Sequence, residues 1–431
     1  MVKTIGQEFY CSNASSQSFQ PFPMLETLQF EQMSKWEEWL PFEGKGSNFP
    51  FPCLKRLCLF KCPMLGGNLP NRLPSLKEVR ILECNQLEAK SCDLQWNTSI
   101  EEMSVRKGGE GWLSSLNLSY RRLSIEKRDS LQCLPRMILS ANCLRYLTLT
   151  DIKSLVSLPT DGLPTSLHSL RITGCEKLEL VCDERWHKYT SLEYLTLWNC
   201  DSLMSFPLDC FPALRNLWIY DCTNLEAITN KGGGASPNLL NGFTVHKCKK
   251  LRSLPEEMDL PALQSLYLSE LPELASLSPR WLPSSLQDLG VDGGILSLSC
   301  MSKQELVCQF QRLTSLPHLG LSGLGDEDVI NTLLREPSLP TSLTSVCLSN
   351  FYGLKWLEGK GLQHLTSLKE LYISECGRLE SLPEDQLPSS LEFLWINRCP
   401  LLQKRYENEK GEHFSKIAHI PAIKINRQVI I

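Results

Sequence analysis

A nine-residue pattern recurs along this chain and constrains its fold more than any other feature. The stretch LEYLTLWNC (residues 192–200) is followed by LRNLWIYDC (residues 214–222), with leucine or isoleucine at three matching positions and cysteine at a fourth. Sixteen copies of L-x-x-L-x-L/I-x-x-C, some of them weak, follow one another at intervals of 20 to 30 residues. They begin at Leu25, Leu54, Leu76, Ile100, Tyr120, Leu144, Leu167, Leu192, Leu214, Leu240, Leu263, Leu286, Leu316, Leu343, Leu368 and Leu391. Self-similarity at this period indicates a repeat architecture.

Each copy has the alternation expected of a β-strand with one buried face. In x-L-x-L-x the leucines fall on one side of an extended chain and the intervening residues on the other. Stacked copies bury their leucines in one column behind a continuous parallel sheet. Connections such as SLPEDQLPSSL are too rich in proline for long helices. The sequence therefore predicts a leucine-rich-repeat solenoid: a curved right-handed superhelix with a concave parallel β-sheet and an irregular convex side of loops and short helical turns.

The repeats organise almost the whole chain. We predict a partial repeat or N-terminal flank at 1–20, a solenoid of about 16 repeats at 21–403 and a C-terminal capping tail at 404–431. Longer insertions fall at 36–51, 230–238, 295–312 and 325–340, and the stretch 301–312 is expected to form a short helix. Solenoids need polar caps at their ends. We expect the first strand, near Leu25 to Glu31, to present an open edge through which the isolated protein self-associates.

The 19 cysteines are best explained as reduced side chains. The chain is long and has no export signal, which disfavours a disulfide framework. Eight cysteines share one repeat position, where a buried thiol behaves as a small apolar group: Cys62, Cys84, Cys175, Cys200, Cys222, Cys248, Cys376 and Cys399. A zinc or redox site at Cys53, Cys58 and Cys62 is the alternative. It is disfavoured because Cys58 should face outward from its strand while Cys62 faces inward.

Composition and motifs exclude several classes of function. The apolar share of 42% and charged share of 21% are those of a globular chain, and the net charge of −4 comes without a basic block for nucleic acid. No apolar run or leader indicates a membrane span or export, so we expect a cytoplasmic chain, with nucleo-cytoplasmic and membrane-peripheral locations left open. No phosphate loop, zinc-protease or serine-hydrolase motif occurs. We predict no enzyme, no cofactor and no metal.

Three kinds of stretch carry a resemblance to a known family. Repeats such as FPCLKRLCLFKCPML and TSLEYLTLWNCDSLMSFP resemble the C-terminal leucine-rich repeats of plant coiled-coil nucleotide-binding leucine-rich-repeat disease-resistance proteins. FPMLETLQFEQMSKWEEW (22–39) resembles an insertion of that group, and CPLLQKRYENEKGEHFSKIAHIPAIKI (399–425) resembles its C-terminal tail. The family's coiled coil and nucleotide-binding domain are absent from these 431 residues, so no residue here is assigned to nucleotide switching.

The resemblance implies a role in plant defence. Repeat surfaces of the family sense a pathogen effector or a guarded host protein, and restrain a nucleotide-binding domain in cis or trans. A stand-alone leucine-rich adaptor or decoy scaffold without a signalling domain is the alternative. A receptor ectodomain is disfavoured because it would need a signal peptide, a membrane span and the extracellular form of the repeat.

Outward strand positions are the candidate binding residues. An aromatic group comprises Tyr194, Trp198, Trp218, Tyr220, Tyr267, Tyr372 and Trp395, and a basic group with a possible intramolecular clamp role comprises Arg56, Arg80, Arg106 and Arg122. Aromatic residues most often carry the binding energy of protein interfaces, but they also favour strands for packing reasons alone. The arginines alternate with Glu78, Glu102 and Glu126, and a solvated ladder of cross-strand pairs is the alternative for them.

Overall fold

The computed structural model is built from short parallel strands joined by turns. It describes residues 2–10, 20–42, 50–67, 69–70, 73–87, 100–107, 120–128, 131–134, 138, 141–159, 163–180, 190–230, 239–255, 260–274, 277–278, 281–298, 302–324, 326–406 and 412–430. Its contacts divide the chain into two units, Met1–Leu203 and Met204–Ile431. Most of the insertion predicted at 230–238 lies outside the described residues.

The first unit contains one main parallel sheet and one small one. The small sheet joins β1 to β3. In the main sheet β2 pairs with β4, and β4 to β10 follow one another in chain order. The strands are β1 (Thr4–Ile5), β2 (Thr27–Glu31), β3 (Glu38–Trp39), β4 (Arg56–Phe60), β5 (Glu78–Leu82), β6 (Glu102–Arg106), β7 (Arg122–Glu126), β8 (Tyr146–Thr150), β9 (Ser169–Thr173) and β10 (Tyr194–Trp198), and a 3-10 turn spans Gln7–Tyr10.

The second unit repeats this arrangement with more helix. Its strands are β11 (Ser205–Pro207), β12 (Asn216–Tyr220), β13 (Ala227–Thr229), β14 (Gly242–His246), β15 (Ser265–Ser269), β16 (Asp288–Asp292), β17 (His318–Ser322), β18 (Ser345–Ser349), β19 (Glu370–Ser374), β20 (Phe393–Asn397), β21 (Ala422–Ile425) and β22 (Gln428–Val429). Its helices are α1 (Gly293–Leu298), α2 (Lys303–Gln311), α3 (Asp328–Arg335), α4 (Lys360–Gln363), α5 (Pro400–Tyr406) and α6 (Glu412–Ser415), with 3-10 turns at Leu208–Cys210 and Glu384–Gln386.

Strand pairing in the second unit keeps repeats in order. The strands β12, β14, β15, β16, β17, β18, β19, β20 and β21 pair in parallel, and β22 returns antiparallel to β21. A second small sheet joins β11 to β13. The tail strands β21 and β22 thus extend the repeat sheet beyond β20. The helix expected within 301–312 is confirmed as α2, which begins at a capping box formed by Ser302 and Glu305.

Equivalent residues of successive repeats stand next to one another. Leu195 and Leu197 of β10, for example, pair in register with Leu170 and Ile172 of β9, and all four are at most 1% exposed. Most main-sheet strands bury their second and fourth residues and leave the first, third and fifth wholly or partly accessible. The predicted leucine-rich-repeat fold, with its parallel sheet and leucine core, is therefore confirmed.

The shared cysteine lies two residues after the end of its strand, at the turn where the chain goes back into the core. The thiol of Cys376, for example, donates to the Ser374 carbonyl two residues earlier, at 3.2 Å. The residue between strand and cysteine has a positive φ in most repeats, and Gly174, with φ of 66°, fills this place before Cys175. All eight cysteines of this position are buried. Burial raises the pKa of the Cys175 thiol to about 11, which keeps it in its inert protonated form.

A serine just before the first leucine ties each of several repeats to the repeat before it. Its hydroxyl donates to the backbone carbonyl of the preceding repeat's first leucine. The pairs are Ser166 to Leu144 (2.8 Å), Ser191 to Leu167 (3.1 Å), Ser285 to Leu263 (2.8 Å), Ser342 to Leu316 (2.9 Å) and Ser390 to Leu368 (2.8 Å). These bonds satisfy carbonyls that the turns leave unpaired inside the structure.

Aromatic side chains fill the start of the first unit. Trp36 and Trp39, within the insertion predicted at 36–51, are buried together with Tyr10. The Trp39 indole N–H donates to the Tyr10 hydroxyl, which in turn donates to the Leu40 carbonyl. The first part of the predicted insertion therefore contributes two side chains to the core.

One edge of β2 has no partner strand among the described residues. The strand pairs with β4 on one side, and no other strand of the described ranges pairs with it. Unpaired N–H and C=O groups on a strand edge are a template for pairing with another chain. We expect the isolated protein to self-associate at micromolar concentration, as measured by multi-angle light scattering. A monodisperse monomer would contradict this.

Candidate interaction surface

The candidate surface consists of side chains on the side of the sheet opposite the leucine core. They occupy the first, third and fifth positions of each five-residue strand, and we call them the strand face of each unit. Their presentation follows from the leucine period, because burying alternate residues turns the intervening ones outward. All predicted site residues of both groups lie at such positions.

The basic group on the first-unit strand face is largely paired with acidic neighbours. The guanidinium of Arg56 contacts Glu78 at 2.8 Å, and that of Arg80 contacts the same carboxylate at 2.5 Å. Arg106 contacts Glu126 at 3.3 Å. These pairs join side chains on the same or adjacent strands. Of the two roles considered for the arginines, a ladder of cross-strand pairs and an intramolecular clamp, this geometry favours the ladder.

Three further features belong to this charged region. Arg122 is the exception in the basic group, because its guanidinium lies 4.7 Å from the centre of the Tyr146 ring in a cation–π contact. A cavity of about 600 Å³ lies over β5 to β9, with Ser104, Ser124 and Thr148 in its lining. The Cys58 thiol is buried on the same face, near Arg80, Glu78 and Arg56.

The aromatic group divides into exposed and half-buried members. Tyr194 and Trp198 on β10 of the first unit are 39% and 50% exposed, and Tyr267 on β15 of the second is 42% exposed. Trp218 and Tyr220 on β12 of the second unit are half-buried, and the Tyr220 ring lies edge-on to His246 at 6.3 Å. Exposed rings are available for contact with another molecule.

The remaining aromatic residues are held by contacts within their unit. The Tyr372 ring contacts those of Phe393 and Trp395 at centroid distances of 5.6 and 5.9 Å. The Trp395 indole N–H donates to the Asn426 carbonyl at 3.1 Å, and the Lys424 ammonium lies 5.3 Å from its ring centre. Trp395 therefore fastens the tail to the sheet, and Tyr372 packs against Trp395. These contacts support the packing alternative for both residues.

Sequence reasoning missed several residues of the second-unit strand face. Gly290 and Gly320 occupy the middle positions of β16 and β17 as register partners. Asp292, at the end of β16, is 4% exposed and lies in the lining of the cavity above them. The signal was present in the sequence as two consecutive repeats with glycine between their strand leucines, LGV and LGL.

The described residues contain no group of three or more histidine, cysteine, aspartate or glutamate side chains arranged to hold a metal ion. Within the same residues, no helix is long and apolar enough to cross a membrane.

The chain is similar in sequence to plant disease resistance proteins. A scan against protein-family models found no match. The putative disease resistance protein At3g14460 of Arabidopsis thaliana is 30% identical over 347 residues, which are 74% of this chain and 24% of that protein. The putative disease resistance RPP13-like protein 1 of the same plant is 31% identical over 187 residues, 41% of this chain and 18% of that protein. The chain therefore spans about a quarter of the first relative's length and less than a fifth of the second relative's length.

Solved structures add a comparison of the fold. The circular leucine-rich-repeat protein CroV588 matches with a TM-score of 0.42 and 15% identity, over 86% of this chain and 66% of that one. The assignment of the fold rests on the strand order and leucine burial described above. With the sequence matches, the predicted resemblance to the leucine-rich-repeat region of plant disease-resistance proteins is confirmed.

Proposed function

We propose that this chain is a protein–protein recognition module of plant innate immunity. It senses a pathogen effector or a guarded host protein through its strand face, in the cytoplasm and without catalysis. Within a longer receptor it restrains a nucleotide-binding switch. The similarity to a disease-resistance protein over 74% of the chain carries this proposal.

The exposed aromatic residues supply the binding energy in this proposal. Tyr194 and Trp198 are large side chains on a regular sheet, where their positions are fixed before a partner arrives. Truncating such a residue at the centre of an interface commonly costs about 2 kcal/mol or more. The paired arginines contribute less, because exposed ion pairs are weak and their partners already lie within the sheet.

A pair of tryptophan variants tests the proposal. Trp198→Ala should reduce the yield of a partner cross-linked to the chain in pathogen-challenged leaf tissue roughly thirtyfold, since a cost of about 2 kcal/mol corresponds to that factor in affinity. Trp356→Ala is the matched control, because Trp356 is 59% exposed but lies outside the strands of the main sheet. It should retain the partner.

The yields are measured by quantitative mass spectrometry against the unchanged chain. Equal losses in the two variants would contradict recognition by the strand face. Loss of the partner only when Trp356 is changed would indicate that the partner binds the turns and not the strand face.

A further inference from the structure

A row of three hydroxyl side chains lies between two arginines on the first-unit strand face. The middle positions of β5 to β9 are, in register order, Arg80, Ser104, Ser124, Thr148 and Arg171. Because the hydroxyl side chains are shorter than the arginines on either side, they form the floor of the cavity of about 600 Å³ over these strands. We call this cavity, defined by the five residues of that row, the hydroxyl recess.

The hydroxyl groups of the floor are not used inside the protein. Ser104, Ser124 and Thr148 are half-buried, and none of their hydroxyls bonds another residue in the described part of the chain. The serines that tie repeats together differ in this respect, since the hydroxyl of Ser166, for example, donates to the backbone of the preceding repeat. Hydroxyls without a protein acceptor are donors available to a ligand.

The lining of the recess carries more positive than negative charge. Its two acidic residues, Glu102 and Glu126, each already contact a guanidinium of the same lining, at 3.9 and 3.3 Å. Across the described ranges, no carboxylate forms an ion pair with Arg122 or Arg171, which also line the recess. Two positive charges are therefore left for a ligand.

The two arginines without a carboxylate partner lie on either side of β8. Arg122 on β7 and Arg171 on β9 are two strands apart, so their Cα atoms are separated by roughly 12 Å. The Arg122 guanidinium lies 4.7 Å from the centre of the Tyr146 ring, which holds it beside β8, the strand between them. A side chain held in place before binding loses little entropy when it contacts a ligand. Both guanidinium groups are therefore positioned to contact one anion above Thr148.

We propose that the hydroxyl recess binds a phosphorylated side chain of a partner protein. A phosphoryl group carries a charge of about −1.5 to −2 at neutral pH and three acceptor oxygens. These match the two arginines without a carboxylate partner and the three hydroxyl donors, and arginine forms bidentate, charge-assisted hydrogen bonds with phosphate. A carboxylate, with one charge and two oxygens, would leave part of this donor set without a partner.

The recess adjoins the aromatic residues to which the proposed function assigns the binding energy. On β10, Tyr194 and Trp198 flank the register partner of Arg171. The floor at Thr148 lies two strands from β10, about 10 Å away, which three residues of extended chain span. A partner segment on the aromatic pair therefore places a phosphorylated residue three positions away over the recess. The inference rests on the proposed function in that this residue belongs to the recognised protein.

Calorimetric titration of the full chain with peptides tests the recess directly. The probe is acetyl-Leu-Ala-Ala-phosphoSer-Ala-Ala-Leu-amide, in which either chain direction puts a leucine over Tyr194 and Trp198 and the phosphate over the recess. Two comparison peptides carry glutamate or serine in place of phosphoserine. At one fixed ionic strength, the glutamate peptide should bind roughly tenfold and the serine peptide roughly a hundredfold more weakly, because they lose one and both charged contacts.

Four variants locate the binding site, each checked for folding by thermal unfolding. Arg122→Gln and Arg171→Gln each remove one charged donor and should weaken phosphopeptide binding roughly tenfold. Ser124→Ala removes the central hydroxyl and should weaken it roughly fivefold. Arg252→Gln is the matched control, because it removes the same charge from an exposed arginine of the second unit, paired with Glu273 at 2.8 Å. It should leave the titration unchanged.

Four outcomes would overturn the recess as a phosphoryl site. Equal affinity for the phosphoserine and serine peptides would remove it, and equal losses with Arg171→Gln and Arg252→Gln would indicate attraction by net charge alone. A glutamate peptide that binds as tightly as the phosphopeptide would make the occupant a carboxylate. Inorganic phosphate that binds as tightly in the same titration would make it a free anion.

The peptide assay is independent of the experiment that tests the proposed function. It contains no defence partner, so a failed titration removes the recess and leaves the proposed function to the Trp198→Ala experiment. A partner whose yield does not depend on Trp198, together with the expected peptide titration, would remove the proposed role of that tryptophan and leave the recess.

Discussion

Replacing Leu195 by alanine should lower the free energy of unfolding by about 2–5 kcal/mol. Leu195 is 1% exposed on β10 and pairs in register with Leu170 of β9. Truncation leaves a cavity in the leucine column, and close-packed neighbours relax only in part to fill it. Chemical denaturation followed by circular dichroism measures the change.

The control for this experiment lies three residues away on the same strand. Trp198→Ala removes a larger side chain, but one that is 50% exposed, so it should change stability by less than about 1 kcal/mol. If Trp198→Ala destabilises as much as Leu195→Ala, the tryptophan belongs to the packing of the sheet. The binding role proposed for it would then be wrong.

Replacing Glu384 by glutamine should lower the free energy of unfolding by about 2–4 kcal/mol. The Glu384 side chain is only 6% exposed and accepts hydrogen bonds from the Arg405 guanidinium at 3.0 Å and the Tyr406 hydroxyl at 2.7 Å. The Lys416 ammonium lies 3.4 Å away but is 40% exposed, so its share is small. Glutamine would leave the Arg405 charge without its counter-ion.

The pH dependence of stability reports on the same carboxylate. Burial by itself raises the pKa of Glu384, but the hydrogen bonds from Arg405 and Tyr406 outweigh it, so the pKa lies below its ordinary value. A lowered folded-state pKa means that the stabilisation is complete above the unfolded pKa of about 4.3. It is lost as the pH falls through the folded-state value.

Denaturation at neutral and acidic pH separates this site from the other carboxylates. Glu384→Gln should remove part of the acid-induced loss seen in the unchanged chain. Glu392→Gln is the control, because its pair with Lys369 is about 60% exposed on both sides, and it should change stability by less than about 1 kcal/mol. Equal effects of the two substitutions would contradict a stabilising role for the buried contacts of Glu384 with Arg405 and Tyr406.

The leucine period was enough to predict the architecture, since burying two alternating residues in every copy leaves few arrangements of the chain. Leu195 and Leu197, for instance, lie where the alternation requires. The outward direction of Trp198 follows from the same argument. Its exposure does not, because Trp395 has the equivalent alternation and is nevertheless half-buried by the tail.

Other features depend on partners that are remote in sequence. Trp36 and Trp39 read as part of an insertion, because nothing local shows that Tyr10 will cover them. The serines that precede the first leucine in several repeats read as ordinary turn residues, since their acceptors lie a full repeat away. The glycine pair at the middle of β16 and β17 escaped the prediction because a missing side chain matters only beside a particular neighbour, in this case the Tyr267 ring.

The serine ties have a mechanical consequence for each unit. Every tied repeat is fastened to the one before it by a short hydroxyl-to-carbonyl bond as well as by its strand ladder. Tension applied along the stack therefore loads these bonds in series, and a terminal repeat, held on one side only, yields first. The unit lengthens in increments of one repeat, each releasing roughly 70–90 Å of chain. The length of each extension step is therefore set by the number of residues in one repeat.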